Sequence, residues 1–261
     1  MEQQKRIDEV TQRGYHLDFG KIIEDSFENY KKIAVTAGLA FLLIMVFVIA
    51  IAIGVAALFM GAVSFTEDMA DFNITQFSTV GILIYIVGVA FVSGLFSPIG
   101  AGLLKMAHSA YVNEEFSVST IFDYYKSSKF KDLFIATSLI SLVSIGISTG
   151  IELYGILIVG NLITYVISFF TFFTIPLIMF THLNAFEAIS VSSQLVLKQA
   201  FPIIGLAIVA GLGSMVGLIA LCIGVLFTMP FWYSVLFTTY NSILPTVVKS
   251  EIDDIGSSET E

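Results

Sequence analysis

The chain has 261 residues, 56 % of them apolar and only 13 % charged, about half the charged share of a soluble domain. Its net charge of −9 argues against nucleic acid as a partner, since that would need a basic patch. Its single cysteine, Cys222, excludes an internal disulfide.

Residues 1–17 read as a polar N-terminal segment. Together with residues 18–32 they make a polar stretch of about thirty residues, unlike the short basic start of a signal peptide. From Asp18 to Lys32, Phe19, Ile22, Ile23, Phe27 and Tyr30 recur at the spacing of one helical stripe. The first apolar run, Ile33 to Val63, outreaches a hydrocarbon core of about 30 Å. The connection Ser64 to Ser78 carries Glu67, Asp68 and Asp71 and no cation. A second run, Thr79 to Leu104, leads into the polar loop Lys105 to Asp132. Within and just before its end lies a second amphipathic stretch, Ser117 to Lys131, with Val118, Ile121, Phe122 and Tyr125 on one face.

The third run, Leu133 to Ser148, is short for a span, and Thr149-Gly150-Ile151-Glu152 reads as an outer turn before the fourth, Leu153 to Phe180. A third amphipathic stretch, Asn184 to Gln199, aligns Ala185, Ala188, Ile189, Ser192 and Val196. Asn184 with Glu187 three residues on has the pattern of a capping box. Pro202 to Leu244 is long enough for two spans. They are placed at about 202–221 and 223–244, with a tight turn between Gly211 and Gly224. Residues 249–261 form an acidic tail. The expected fold is an all-α membrane protein: six transmembrane helices as three helix pairs, each preceded by a cytosolic amphipathic interfacial helix.

All twelve Lys and Arg residues fall in segments that this topology puts on one side. Cytoplasmic loops retain cations during insertion, so both termini are expected in the cytoplasm of a bacterial inner membrane. The second span of each pair holds a proline: Pro98, Pro176 and Pro230. Each removes a backbone donor, and each is read as a helix kink, or as the hinge of a moving transporter. Ser97, Thr174 and Thr228 stand nearby to satisfy the freed carbonyls.

The spans contain no internal Asp, Glu, Lys, Arg or His, which disfavours proton relays and carriers of charged substrates. Two polar stripes are the exception to their apolar character: Thr137, Ser141 and Ser144 (extended by Ser148) on the third span, and Asn161, Thr164 and Ser168 (extended by Thr171 and Thr174) on the fourth. Such stripes either line a passage or act as hydrogen-bonding glue between helices. His16, His108 and His182 do not have metal-ligand spacing. No nucleophile elbow, phosphate loop or dinucleotide motif occurs, so no catalytic residue, metal or cofactor is expected.

Four stretches carry a resemblance to a known family. They are Asp18-Phe19-Gly20-Lys21-Ile22-Ile23 with Ser26-Phe27; Pro98 through Gly102 before His108; Phe186-Glu187-Ala188-Ile189 with Ser192-Ser193; and Gly224-Val225-Leu226-Phe227-Thr228-Met229-Pro230 through Tyr240. Together they resemble the uncharacterised bacterial membrane family related to the membrane domain of glycerophosphoryl diester phosphodiesterase. That resemblance implies a six-span bundle of the inner membrane with cytosolic interfacial helices. In the full-length phosphodiesterases a catalytic barrel follows that domain. No His-Arg-Gly start of such a barrel follows here, so hydrolysis is not carried over. The expectation is a non-enzymatic module that organises lipid or scaffolds a partner. Its partners would be membrane lipids and a protein on the cytosolic face. The alternative is a transporter or channel for a lipid or neutral solute.

Overall fold

The computed structural model describes residues 2–59, 77–220 and 223–246, and among them every regular element is helical. The end of the first predicted span, the acidic connection through Gln76, Cys222 and the tail with Lys249 lie outside these residues. Among the described residues, six helical segments are long and apolar enough to cross a membrane: Phe19–Ile51, Thr79–Tyr111, Phe130–Glu152, Ile158–Phe180, Ala200–Ile219 and Ile223–Ile243. The chain is a multi-pass helical membrane protein.

The N-terminal segment folds into a helix, α1 (Glu2–Arg13). Its polarity hides Ile7 and Val10, which share one face; Ile7 is buried and Val10 packs against the core. Gly14 ends it with φ +79, and its N–H bonds to the Val10 carbonyl at 3.0 Å, the left-handed stop that glycine takes without strain. The next helix, α2 (Phe19–Phe59), starts where the Asp18 carboxylate accepts the Lys21 N–H at 3.0 Å. The first amphipathic stretch and the first span are therefore one rod of 41 residues, about 60 Å long.

Helix α3 (Thr79–Tyr111) begins at Ser78, whose hydroxyl accepts the Gly81 N–H. It runs unbroken through Pro98, because Ser97 Oγ donates at 2.7 Å to the Gly94 carbonyl, the acceptor one turn back that proline leaves free. It ends with Asn113 at φ 57 and Glu114 N–H returning to the Ser109 carbonyl. The second amphipathic stretch is not an α-helix but a 3-10 helix, Val118–Lys126. Gly102 lets it lie against α3, since a Cβ there would strike the Ile121 backbone.

Helix α4 (Phe130–Glu152) is longer than the predicted third span. The Thr149–Glu152 stretch read as a turn stays helical, with Thr149 buried; the chain reverses at Gly155, φ +78. The fourth span is two helices, α5 (Leu157–Phe170) and α6 (Thr174–Phe180). It breaks at residues 171–173, ahead of Pro176, which sits in the first turn of α6, where a missing N–H costs little. Helix α7 (Ala185–Lys198) starts with the Asn184–Glu187 capping box: Asn184 Oδ1 accepts from Phe186 and Glu187, and Glu187 Oε2 accepts from Asn184. Then come α8 (Ala200–Met215), a 3-10 helix Val216–Ala220, α9 (Ile223–Thr228) and α10 (Pro230–Ile243). Pro230 opens α10, and Gly217 lies against the Gly224 backbone with no room for a Cβ.

The core is not spread evenly along the bundle. It is concentrated at the end where α3, α6 and α10 finish and α2, α4 and α8 begin. Leu103, Leu104 and Met106 there meet Leu133, Leu177, Ile178, Val235 and Phe237, all fully buried. Toward the other end, Val46, Phe47, Ile53, Val80, Ile84 and Ile158 are exposed. Apolar side chains facing outward over this length suit lipid rather than water.

Candidate membrane-interface site

The packed end is also the end that carries the cations. Helix α2 turns a stripe of Ile22, Ser26, Asn29, Ile33, Ala37 and Ala40 into the bundle, all buried. Their spacing of three and four is helical. Asn29 is the pivot: its Nδ2 donates to the Ala107 carbonyl at 2.7 Å, and its Oδ1 accepts from Ser234 Oγ at 3.0 Å. Ser26 and Thr238 bond hydroxyl to hydroxyl. Lys32 Nζ reaches the Ala110 carbonyl and Asn113 Oδ1, both at 3.0 Å. Tyr30 OH donates to the Phe227 carbonyl at 3.2 Å. These bonds clamp α2 to α3, α9 and α10, where a buried hydrogen bond left unmade is costly. The predicted stripe of α2 ran one edge off: Ile22 points in, Phe19 and Phe27 are exposed, and Ile23 and Tyr30 are half-buried. The signal for the true stripe was in the residues, in two small polar side chains followed by Ala37 and Ala40 at the same spacing.

Of the second stretch, Ile121 is buried whereas Phe122 and Tyr125 are exposed. Tyr125 OH donates to the Leu95 carbonyl at 2.8 Å, and Lys105 pairs with Asp123 at 2.7 Å. Burial, helped by the Asp123 charge, pushes the Tyr124 phenol up to about 12. Of the third, Ala185, Ala188, Ser192 and Val196 are buried and Phe186 is exposed. Ser192 acts on the break in the fourth span: its hydroxyl accepts the Phe173 N–H at 3.0 Å and donates to the Phe170 carbonyl at 2.9 Å. Helix α1 is tied to α7 by Tyr15 OH to the Leu195 carbonyl, 2.7 Å, and Gln199 Nε2 to the Tyr15 carbonyl, 2.9 Å; burial raises the Tyr15 phenol.

The residues of the two polar stripes differ in burial. On α4, Ser144 is buried without a partner among the described residues, as is Ser138, which fits against Gly94 of α3. Thr137 and Ser141 are half-buried. On α5, Asn161 and Ser168 are exposed, and Thr164 Oγ1 points back to the Gly160 carbonyl of its own helix. The close meeting of α4 with α5 is Ser148 against Gly160. Ser168 instead edges an apolar groove of about 490 Å³ beside α8, with Tyr165, Ile204, Ile208 and Trp232. Of the hydroxyls beside the prolines, Ser97 alone takes up the freed carbonyl. Thr174 is buried without a partner, and Thr228 donates across to the Ser214 carbonyl at 2.6 Å. His108 packs on the rings of Phe180 and Phe237, and His182 is exposed.

A second opening lies at the cation-bearing end. It has a volume of about 760 Å³ and lies between α1, the start of α2 and the ends of α3 and α10, with Arg6, Lys21, Asp25, Tyr111, Asn241 and Ser242 in its wall. No known protein family, no curated protein and no solved structure matches this chain.

Proposed function

We propose that this is a non-enzymatic module of the bacterial inner membrane, with both termini in the cytoplasm, that holds lipid headgroups of the inner leaflet through its cation-bearing end. The observation that carries this is that each of the three interfacial segments exposes phenylalanine: Phe27, Phe122 and Phe186 are 51 %, 50 % and 65 % exposed, and Phe19 is exposed beside Phe27 on the first. Two of them have cations nearby: Lys31 lies over the Phe27 ring at 5.5 Å, and Lys126 follows Phe122 by four residues. Aromatic rings with basic neighbours belong at the headgroup level. A photo-crosslinker placed at Phe27, Phe122 or Tyr125 in native membranes is expected to trap headgroup-bearing lipid above a control at Ile49. Trapping no greater than at Ile49 sinks the proposal; a protein trapped instead makes the module a scaffold.

The groove beside α8 supports a second reading, a path for a lipid or neutral solute. In proteoliposomes, Asn161→Leu with Ser168→Leu is expected to lower flux if this reading holds. Absent or unchanged flux removes it.

A further inference from the structure

We infer that the opening between α1, α2, α3 and α10 is a site for one phospholipid headgroup bearing both a phosphate and a free ammonium. The inference rests on the lipid-facing orientation proposed above. The wall holds two cations, Arg6 and Lys21, and one carboxylate, Asp25. None of the three side chains forms a hydrogen bond or ion pair with a described residue. Lys31, Lys32, Lys105 and Lys129 of that end have partners; Lys5, Arg13, Lys126 and Lys131 have none among the described residues, but only Arg6 and Lys21 stand with a carboxylate in the wall of this opening. Asn241 contributes as well: its Oδ1 is taken by the N–H and hydroxyl of Thr246, at 2.8 and 2.9 Å, which leaves the Nδ2 donors for a ligand.

Guanidinium, ammonium and amide donors lining one space match a phosphate. A carboxylate in the same wall disfavours a ligand that is only anionic and gives a headgroup ammonium its counter-charge. The floor does not compete for the ligand. Thr238 Oγ1 is engaged with Ser26 and the Ser234 carbonyl, and Ser242 Oγ with the Thr238 carbonyl. The volume lies in the range of small-molecule sites. The clamp at Asn29 sets the spacing of α2 from α10, and so holds Lys21 and Asp25 opposite Asn241.

Native mass spectrometry of the full chain in detergent, with phosphatidylethanolamine, phosphatidylcholine or phosphatidylglycerol added, tests the site. Phosphatidylethanolamine is expected to be retained over phosphatidylcholine by about fivefold, because choline keeps the positive charge but has no N–H to donate to Asp25. Asp25→Asn, which keeps the shape of the wall, is expected to erase that preference. Arg6→Gln with Lys21→Gln is expected to weaken retention of all three lipids while thermal unfolding stays at the parent temperature. Equal retention of the three lipids by parent and Asp25→Asn overturns the inference. Free phosphoethanolamine binding as tightly as the lipid overturns the membrane source. Crosslinks at Phe27 and Phe122 that persist without lipid preference sink this site and leave the interface proposal standing.

Discussion

Ser192 shows how much one hydroxyl does in a membrane bundle. It closes the backbone of a broken span from a neighbouring helix, accepting at Phe173 and donating at Phe170. Ser192→Ala is expected to cost about 1–3 kcal/mol, the penalty for buried groups left unsatisfied, seen as a lower midpoint of thermal unfolding; an unchanged midpoint argues that the break is satisfied otherwise. Nothing local in the sequence announced this role, because Ser192 and the break are separate elements that only packing brings together. Tyr124 sets a second expectation. Burial and Asp123 hold its proton to about 12, against 10.0 for the ordinary phenol. Between those values the folded chain binds more protons than the unfolded one, so stability falls as pH rises through that window. Tyr124→Phe is expected to flatten part of this alkaline loss in a pH series of unfolding midpoints; an identical slope would show that Tyr124 does not contribute.

At the scale of elements, local capping signals were readable and packing was not. The Asn184–Glu187 box could be seen in the sequence because both partners lie within one turn. The 3-10 form of Val118–Lys126 could not, since it depends on Gly102 of another helix giving it a floor. Gly102→Ala is expected to destabilise by about 1–3 kcal/mol, as overpacking does, and to change the crosslinking yield at Phe122. Parent-like values for both would mean that the segment is held elsewhere. The misplaced turn after the third span has a similar cause: Thr149, Gly150 and Glu152 are polar or small enough to suggest a loop, yet Thr149 is buried by neighbours and the reversal waits for Gly155.

For the whole molecule, the decisive expectation is sidedness. Thiol labelling of Tyr154→Cys, a position 85 % exposed at the α4–α5 reversal, and of Lys126→Cys, both with Cys222 replaced, is expected to proceed from opposite sides of the membrane. Labelling of both from one compartment overturns the topology and the headgroup proposal together. The sequence alone settled that the chain crosses a membrane as helices, because hydropathy and length are sums over neighbours along the chain. The tertiary structure alone decided which stripe of α2 turns inward, how far each residue of the two polar stripes is buried, and that Arg6, Lys21, Asp25 and Asn241 share one opening. Those outcomes depend on the rotation and register of one helix against another, and they are set by contacts between residues far apart in the chain, such as Asn29 with Ser234.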